Sequence, residues 1–156
     1  MKPRAYIETS IISYLTAWPS RDLVHAAQQQ VTRDWWTIRG RFDLFASQFV
    51  LDEAAAGDED AAARRLAALE EAVLLEVTED AILLGEGLLA GGGLPSKARI
   101  DALHVAVAAV HGMDYLLTWN CKHIANATLR SRIEDLCRAA GFEPPIICTP
   151  LELPKE

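Results

Sequence analysis

Short apolar runs at 4–7, 42–46, 74–77, 115–117 and 146–148 alternate along the chain with segments long enough to form helices. Strands this short cannot stand alone. Parallel strands need a crossover of a dozen or more residues between them, and a helix is the usual crossover. Alternation of this kind predicts an α/β fold with a parallel sheet covered by helices on both faces.

The helix boundaries follow from local signals. Thr9 and Ser10 start a short helix through Ile11, Ile12, Tyr14 and Leu15, ended at Trp18, Pro19 and Ser20. Asp22 caps a helix running to Ile38, with Gly40 as the stop. Ser47 caps a helix over 47–56, stopped by Gly57. Further helices are predicted over 61–72, 79–89, 95–111 and 128–140, with a flexible glycine run at 91–93. At 156 residues, 51% hydrophobic and 24% charged, the chain has enough apolar material for one sizeable core. The expected division is a single domain over 1–150 and a C-terminal tail over 151–156, disordered in its last four residues.

No apolar run reaches the roughly 18 residues of a membrane span. Charge and turn residues recur through the first 22 positions, which predicts no secretory leader. Cys121, Cys137 and Cys148 lack metal-type spacing and are expected to be reduced, in a cytoplasmic setting. The net charge of −7 argues against binding of nucleic acid by bulk electrostatics. It does not exclude a nuclease, because an acidic pocket changes sign locally when it holds a cation.

Four polar positions stand against apolar stretches: Glu8, Glu53, Asp101 and Asn120. Glu8 follows the first strand and Asn120 the fourth. Glu53 falls in the second turn after the Ser47 cap. Asp101 falls in the second turn of its helix, about 7.5 Å beyond Ser96 at 1.5 Å per residue. In a parallel sheet, the carboxyl ends of strands and the amino ends of the following helices share one edge, where ligands bind. Two carboxylates about 5 Å apart repel by roughly 3 kcal/mol at an effective dielectric of 20, so a gathered set favours a divalent cation. Oxygen-only ligands point to Mg2+ or Mn2+, and the chemistry that fits is metal-assisted phosphodiester hydrolysis.

Each position also has a structural reading. Asp101 can pair with Lys97, Glu8 can cap the following helix, Glu53 can lie on a solvated face, and Asn120 can be a turn residue. Thr9, Ser10 and Thr118 are expected to hold carboxylates or water. Lys122, His123 and Asn126 meet phosphate or water, or form a hydrogen-bonded loop. His104 reads first as a satisfied core histidine, and His25 and His111 as structural. Of the adjacent Trp35 and Trp36, about 100° apart on a helix, one belongs in the core and the other on a partner surface. Arg64, Arg65, Arg130 and Arg132 read as solvated faces or as guides for a phosphodiester substrate.

The segments Tyr6-Ile7-Glu8-Thr9-Ser10, 47–53, Asp101-Ala102-Leu103-His104 and 114–120 resemble, in order and spacing, the PIN-domain family, specifically the VapC-like toxins of type II toxin–antitoxin pairs. The resemblance runs from Tyr6 to about Thr149. It implies a three-layer α/β/α sandwich with a central, mainly parallel sheet and a Mg2+- or Mn2+-dependent endoribonuclease. It also implies an RNA substrate, a cognate antitoxin protein and a homodimer. Glu8, Glu53 and Asp101 take the family's metal-carboxylate positions, and Asn120 its fourth acidic position. Glu8 stands where the family usually has the shorter aspartate, and Asn120 where it has an acid. Those departures motivate a second expectation, a PIN-fold module that binds RNA or a protein partner without cleaving. A phosphatase or DNA nuclease at the same site is a third.

Overall fold

A computed structural model describes residues 1–153, and the final three positions of the expected tail lie outside the described residues. The element order is β1 (Arg4–Ile7), α1 (Thr9–Thr16), α2 (Leu23–Thr37), a short 3-10 turn (Arg39–Arg41), β2 (Asp43–Ser47), α3 (Gln48–Ala54) and α4 (Glu59–Leu69). It continues with β3 (Val73–Leu75), α5 (Glu79–Ala90), α6 (Arg99–Val110), β4 (Tyr115–Leu117), α7 (Ala127–Ala139) and β5 (Ile146–Cys148). Among the described residues, no helix is long and apolar enough to cross a membrane.

The five strands form one all-parallel sheet in the order β3-β2-β1-β4-β5, flanked by helices as a three-layer α/β/α sandwich. Strand β1 is central. Its Ala5 pairs with Leu44 on one side and Tyr115 on the other, and Ala5, Tyr6 and Ile7 are buried. Full burial on both faces explains why β1 reads as a continuous apolar run rather than an alternating one. The chain builds outward from β1 through β2 and β3, then returns to place β4 and β5 on the opposite side. The order therefore reverses between β1 and β4, the kind of crevice where open α/β sheets bind ligands.

Helix α6 is the most deeply buried, from Ala102 through Ala109. Small residues allow it to lie close to its neighbours. A Cβ at Gly85 of α5 would meet Leu103 Cδ2 at 3.0 Å. The run 91–93 closes α5 in a hydrogen-bonded turn rather than forming a free linker. Gly93 N–H donates to the Leu88 carbonyl at 2.8 Å, and Gly92 takes a positive φ of 77°. Leu153 packs into the core cluster, so the folded chain continues past residue 150.

Several boundaries shift for identifiable reasons. Helix α4 starts at Glu59 because the Asp58 side chain accepts from Ala61 N–H. Helix α6 starts at Arg99 because Ala98 is non-helical (φ −95°, ψ 44°) and 95–98 forms a turn. Asp101 thus lies in the first helical turn. Lys97 precedes the helix, out of register for the expected i,i+4 pair, and Asp101 pairs with His123 instead. Ser47 occupies the cap position of α3 but makes no side-chain cap bond, because its hydroxyl pairs with the buried Tyr6 hydroxyl. Trp35 is fully buried, whereas Trp36 is partly exposed beneath the Arg39 guanidinium.

The three cysteines are free thiols: Cys121 is exposed, and Cys137 and Cys148 are buried. Burial pushes the Cys137 thiol up to about 11 and the Cys148 thiol up to about 12. Both values exceed the unfolded value of 9.0, so the stability these thiols contribute is fully present below pH 9 and is lost as pH rises through the folded values. In the native protein at pH 8, a thiol-reactive dye should label Cys121 promptly and the other two only after denaturant is added. Equal labelling of all three in the native state would contradict the packing described.

Candidate functional site

The reversal point between β1 and β4 is where the polar residues gather. Glu8 lies one residue past β1, with its N–H bonded to the Leu117 carbonyl of β4 at 3.1 Å. Alternation along β1 puts Tyr6 and Glu8 on the same face. The Glu8 side chain is only 5% exposed. It caps α1 by accepting from Ser10 N–H at 3.1 Å, and it also accepts from the Ser10 and Thr118 hydroxyls. Each hydroxyl is held in turn by the loop after β4: Trp119 N–H donates to Ser10 Oγ at 2.8 Å, and Asn120 N–H to Thr118 Oγ1 at 2.9 Å. All of these donors are neutral. Among the described residues, no cationic side chain pairs with Glu8.

Glu53, on α3, has a half-exposed carboxylate. Its Oε1 accepts from the Thr9 hydroxyl at 2.7 Å and lies 2.6 Å from His104 Nε2. His104 is completely buried, and its Nδ1 lies 2.7 Å from the Tyr6 hydroxyl, itself 2.7 Å from Ser47 Oγ. Burial works upward on the Glu53 pKa. The His104 hydrogen bond, the attraction of that ring when protonated and the Thr9 hydroxyl outweigh it, leaving the carboxyl below its ordinary value. Burial raises the Tyr6 phenol, the Ser47 bond partly opposes this, and the Glu8 and Glu53 charges add to it, so the phenol keeps its proton.

One side-chain atom from each of Glu8, Glu53 and His104 lies within 4.8 Å of the others. Two carboxylates that close repel by about 3 kcal/mol at an effective dielectric of 20. A buried carboxylate with no cationic partner, facing a second one, fits a divalent cation. Glu53 Oε2 has no hydrogen-bond partner among the described residues, so an anchored carboxylate still offers an oxygen.

The four positions singled out in the sequence are not drawn into one equal set. Glu8 and Glu53 meet. Asp101 is not in that close group; its Oδ2 lies 2.8 Å from His123 Nδ1, and its Oδ1 has no partner among the described residues. Asp101 and His104, three apart on α6, share a helix face. The Asn120 side-chain oxygen accepts from His123 N–H at 3.1 Å, a turn role. Asn126 caps α7, accepting from Thr128 and donating to the Lys122 carbonyl. Lys122 is exposed. His25 stacks on Tyr14, and His111 bonds the Glu76 carbonyl.

Sequence reasoning missed Tyr6 and Ser47 and the reach of His104 to Glu53. The spacing of Tyr6 from Glu8 on one strand face, and of His104 from Asp101 on one helix face, was the available signal. No protein-family model matches the chain, and no curated protein matches it.

Two outcomes follow. Thr118 is fully buried, so Thr118→Val should destabilise the fold by about 1–3 kcal/mol in urea titrations, with Thr118→Ser nearly neutral. Indistinguishable midpoints for the two variants would remove Thr118 as a determinant of Glu8. The depressed pKa of Glu53 gives stability that is present above the unfolded value of 4.5 and lost as pH falls through the folded value. In metal-free buffer, Glu53→Gln should flatten that part of the acid limb, and parallel limbs would show that Glu53 is not held as described.

Proposed function

We propose that this chain is a divalent-metal-dependent endoribonuclease, the toxin of a toxin–antitoxin pair. The observation that carries the reading is the meeting of Glu8 and Glu53 at the sheet reversal point, with no cationic partner for Glu8 among the described residues. The resemblance of the four sequence segments to VapC-like PIN domains supplies the reaction class.

Glu8 and Glu53 would hold Mg2+ or Mn2+, with Asp101 Oδ1 the next oxygen donor on α6. The ion would supply charge neutralisation at the phosphate and activation of the attacking water. The protein's own part is positional. Ser10 and Thr118 fix Glu8, Thr9 and His104 fix Glu53, and His123 fixes Asp101. Hydrolysis adds water across one P–O bond of RNA, leaving a phosphate monoester and a free hydroxyl.

A protein partner is part of the proposal, either the antitoxin or a second copy. Support comes from a mainly apolar groove of about 450 Å³ whose lining includes Leu23, Val24, Val31, Trp119 and Leu151 beside the polar Gln28. Leu23 is 86% exposed and Leu151 71%, more than isolated surface residues require. A cytoplasmic setting fits the three free thiols.

A second reading has its own support. Asn120 is neutral and its side-chain oxygen is engaged by the His123 backbone, which suits a module that binds RNA or protein without cutting.

Purified protein should cut RNA with Mg2+ or Mn2+ and not with chelator, and Asp101→Ala should lose at least about a hundredfold in rate. The ions should also raise the melting temperature, as binding to the native state alone requires. RNA binding with no product under any divalent ion would favour the second reading, with Asn120→Asp restoring cleavage. No thermal response across millimolar ion would remove the cation site altogether.

A further inference from the structure

We infer that His104 is a positioning residue and not a cation ligand. The buried hydroxyl pair of Ser47 and Tyr6 fixes its ring so that Nε2–H donates to Glu53, which leaves the cation an all-oxygen donor set.

Hydrogen accounting along one buried chain gives the assignment. The chain runs from Ser47 Oγ to Tyr6 Oη at 2.7 Å, from Tyr6 Oη to His104 Nδ1 at 2.7 Å, and from His104 Nε2 to Glu53 Oε1 at 2.6 Å. Ser47 and His104 are fully buried, as is Tyr6. Among the described residues, the only hydrogen-bond partner of the Ser47 hydroxyl is Tyr6, and Ser47 caps no helix N–H.

Two polarities are available to three groups that each carry one hydrogen. In the first, Ser47 donates to Tyr6, Tyr6 to Nδ1, and Nε2–H to the carboxylate. Every hydrogen has an acceptor, and the chain ends on an anion. In the second, Nδ1–H donates to Tyr6 and Tyr6 to Ser47. The Ser47 hydrogen then has no acceptor among the described residues, and an Nε2 lone pair faces Glu53 Oε1 at 2.6 Å. Buried polar groups are almost always satisfied, so the first polarity is selected.

A ring whose Nε2 carries hydrogen has no lone pair at that atom to offer a metal. Of the three groups within 4.8 Å, only Glu8 and Glu53 remain as ligands. Oxygen donors alone favour Mg2+ or Mn2+ over Zn2+. The donor-set conclusion rests on the cation site proposed above. The ring orientation does not.

Long-range nitrogen–proton NMR on the full chain reads the tautomer directly, without any activity. At neutral pH, His104 should show an unprotonated Nδ1 and a protonated Nε2, in the metal-free protein and with saturating Mg2+ alike. A protonated Nδ1, whether Nε2 is bare or also protonated, would overturn the inference in either condition. If Mg2+ shifts no resonance near Glu8 or Glu53, the cation reading fails while the ring assignment stands. Tyr6→Phe keeps the ring and removes the hydroxyl, and it should blur the single tautomer pattern. An unchanged pattern would remove Tyr6 from the account. His104→Gln keeps a donor toward Glu53 and should retain Mg2+ affinity, whereas His104→Leu should weaken it about 10- to 100-fold. Equal loss in both variants would count against positioning by donation.

Discussion

Burying the Glu8 carboxylate just past the ends of β1 and β4 is the constraint around which the rest of this structure is arranged. A charge held out of water demands hydrogen bonds, and the fold supplies them from both sides of the sheet reversal: Ser10 from the start of α1 and Thr118 from the end of β4. Those same hydroxyls take N–H bonds from Trp119 and Asn120. The loop after β4 is therefore positioned by the charge it surrounds. What those neutral donors do not provide is an opposite charge.

The second carboxylate is held differently. Glu53 sits at the rim, and its support comes up from the core through Ser47, Tyr6 and His104. These residues lie on β2, β1 and α6, three separate elements that pack only in the finished fold. The chain of bonds lets the most buried helix fix a group at the surface. Helix α6 is buried on all sides from Ala102 to Ala109, and its polar residues Asp101 and His104, one turn apart, carry the bonds to His123 and Glu53. This arrangement explains why polar residues are tolerated in an otherwise apolar helix.

Much of the architecture was legible because it is governed locally. Tyr115–Leu117 and Ile146–Cys148 are short apolar runs between turn residues, and they are strands in the structure. Asp22 caps α2 through His25 N–H, a bond spanning three residues. Features set by distant partners were not legible. Ser47 looks like a helix cap until a tyrosine 41 residues earlier claims its hydroxyl. The start of α6 depends on the Ala98 backbone, which no side-chain pattern announces. His104 looks like a core histidine, and it is one by burial. Its bond to Glu53 joins residues 51 positions apart and appears only when the chain folds. The sequence places Asp101 and Asn120 at the same sheet edge as the two glutamates. The structure instead joins both to His123, one through its ring and one through its backbone.

The central claim is that Glu8 and Glu53 form one cation site. Crystals soaked in manganese and measured at an energy where that ion scatters anomalously test it most directly. The account predicts an anomalous peak between the Glu8 and Glu53 carboxylate oxygens, within bonding distance of both and beyond bonding distance of His104 Nε2. A map with no peak there at saturating manganese, or with its peak elsewhere on the protein, would contradict it.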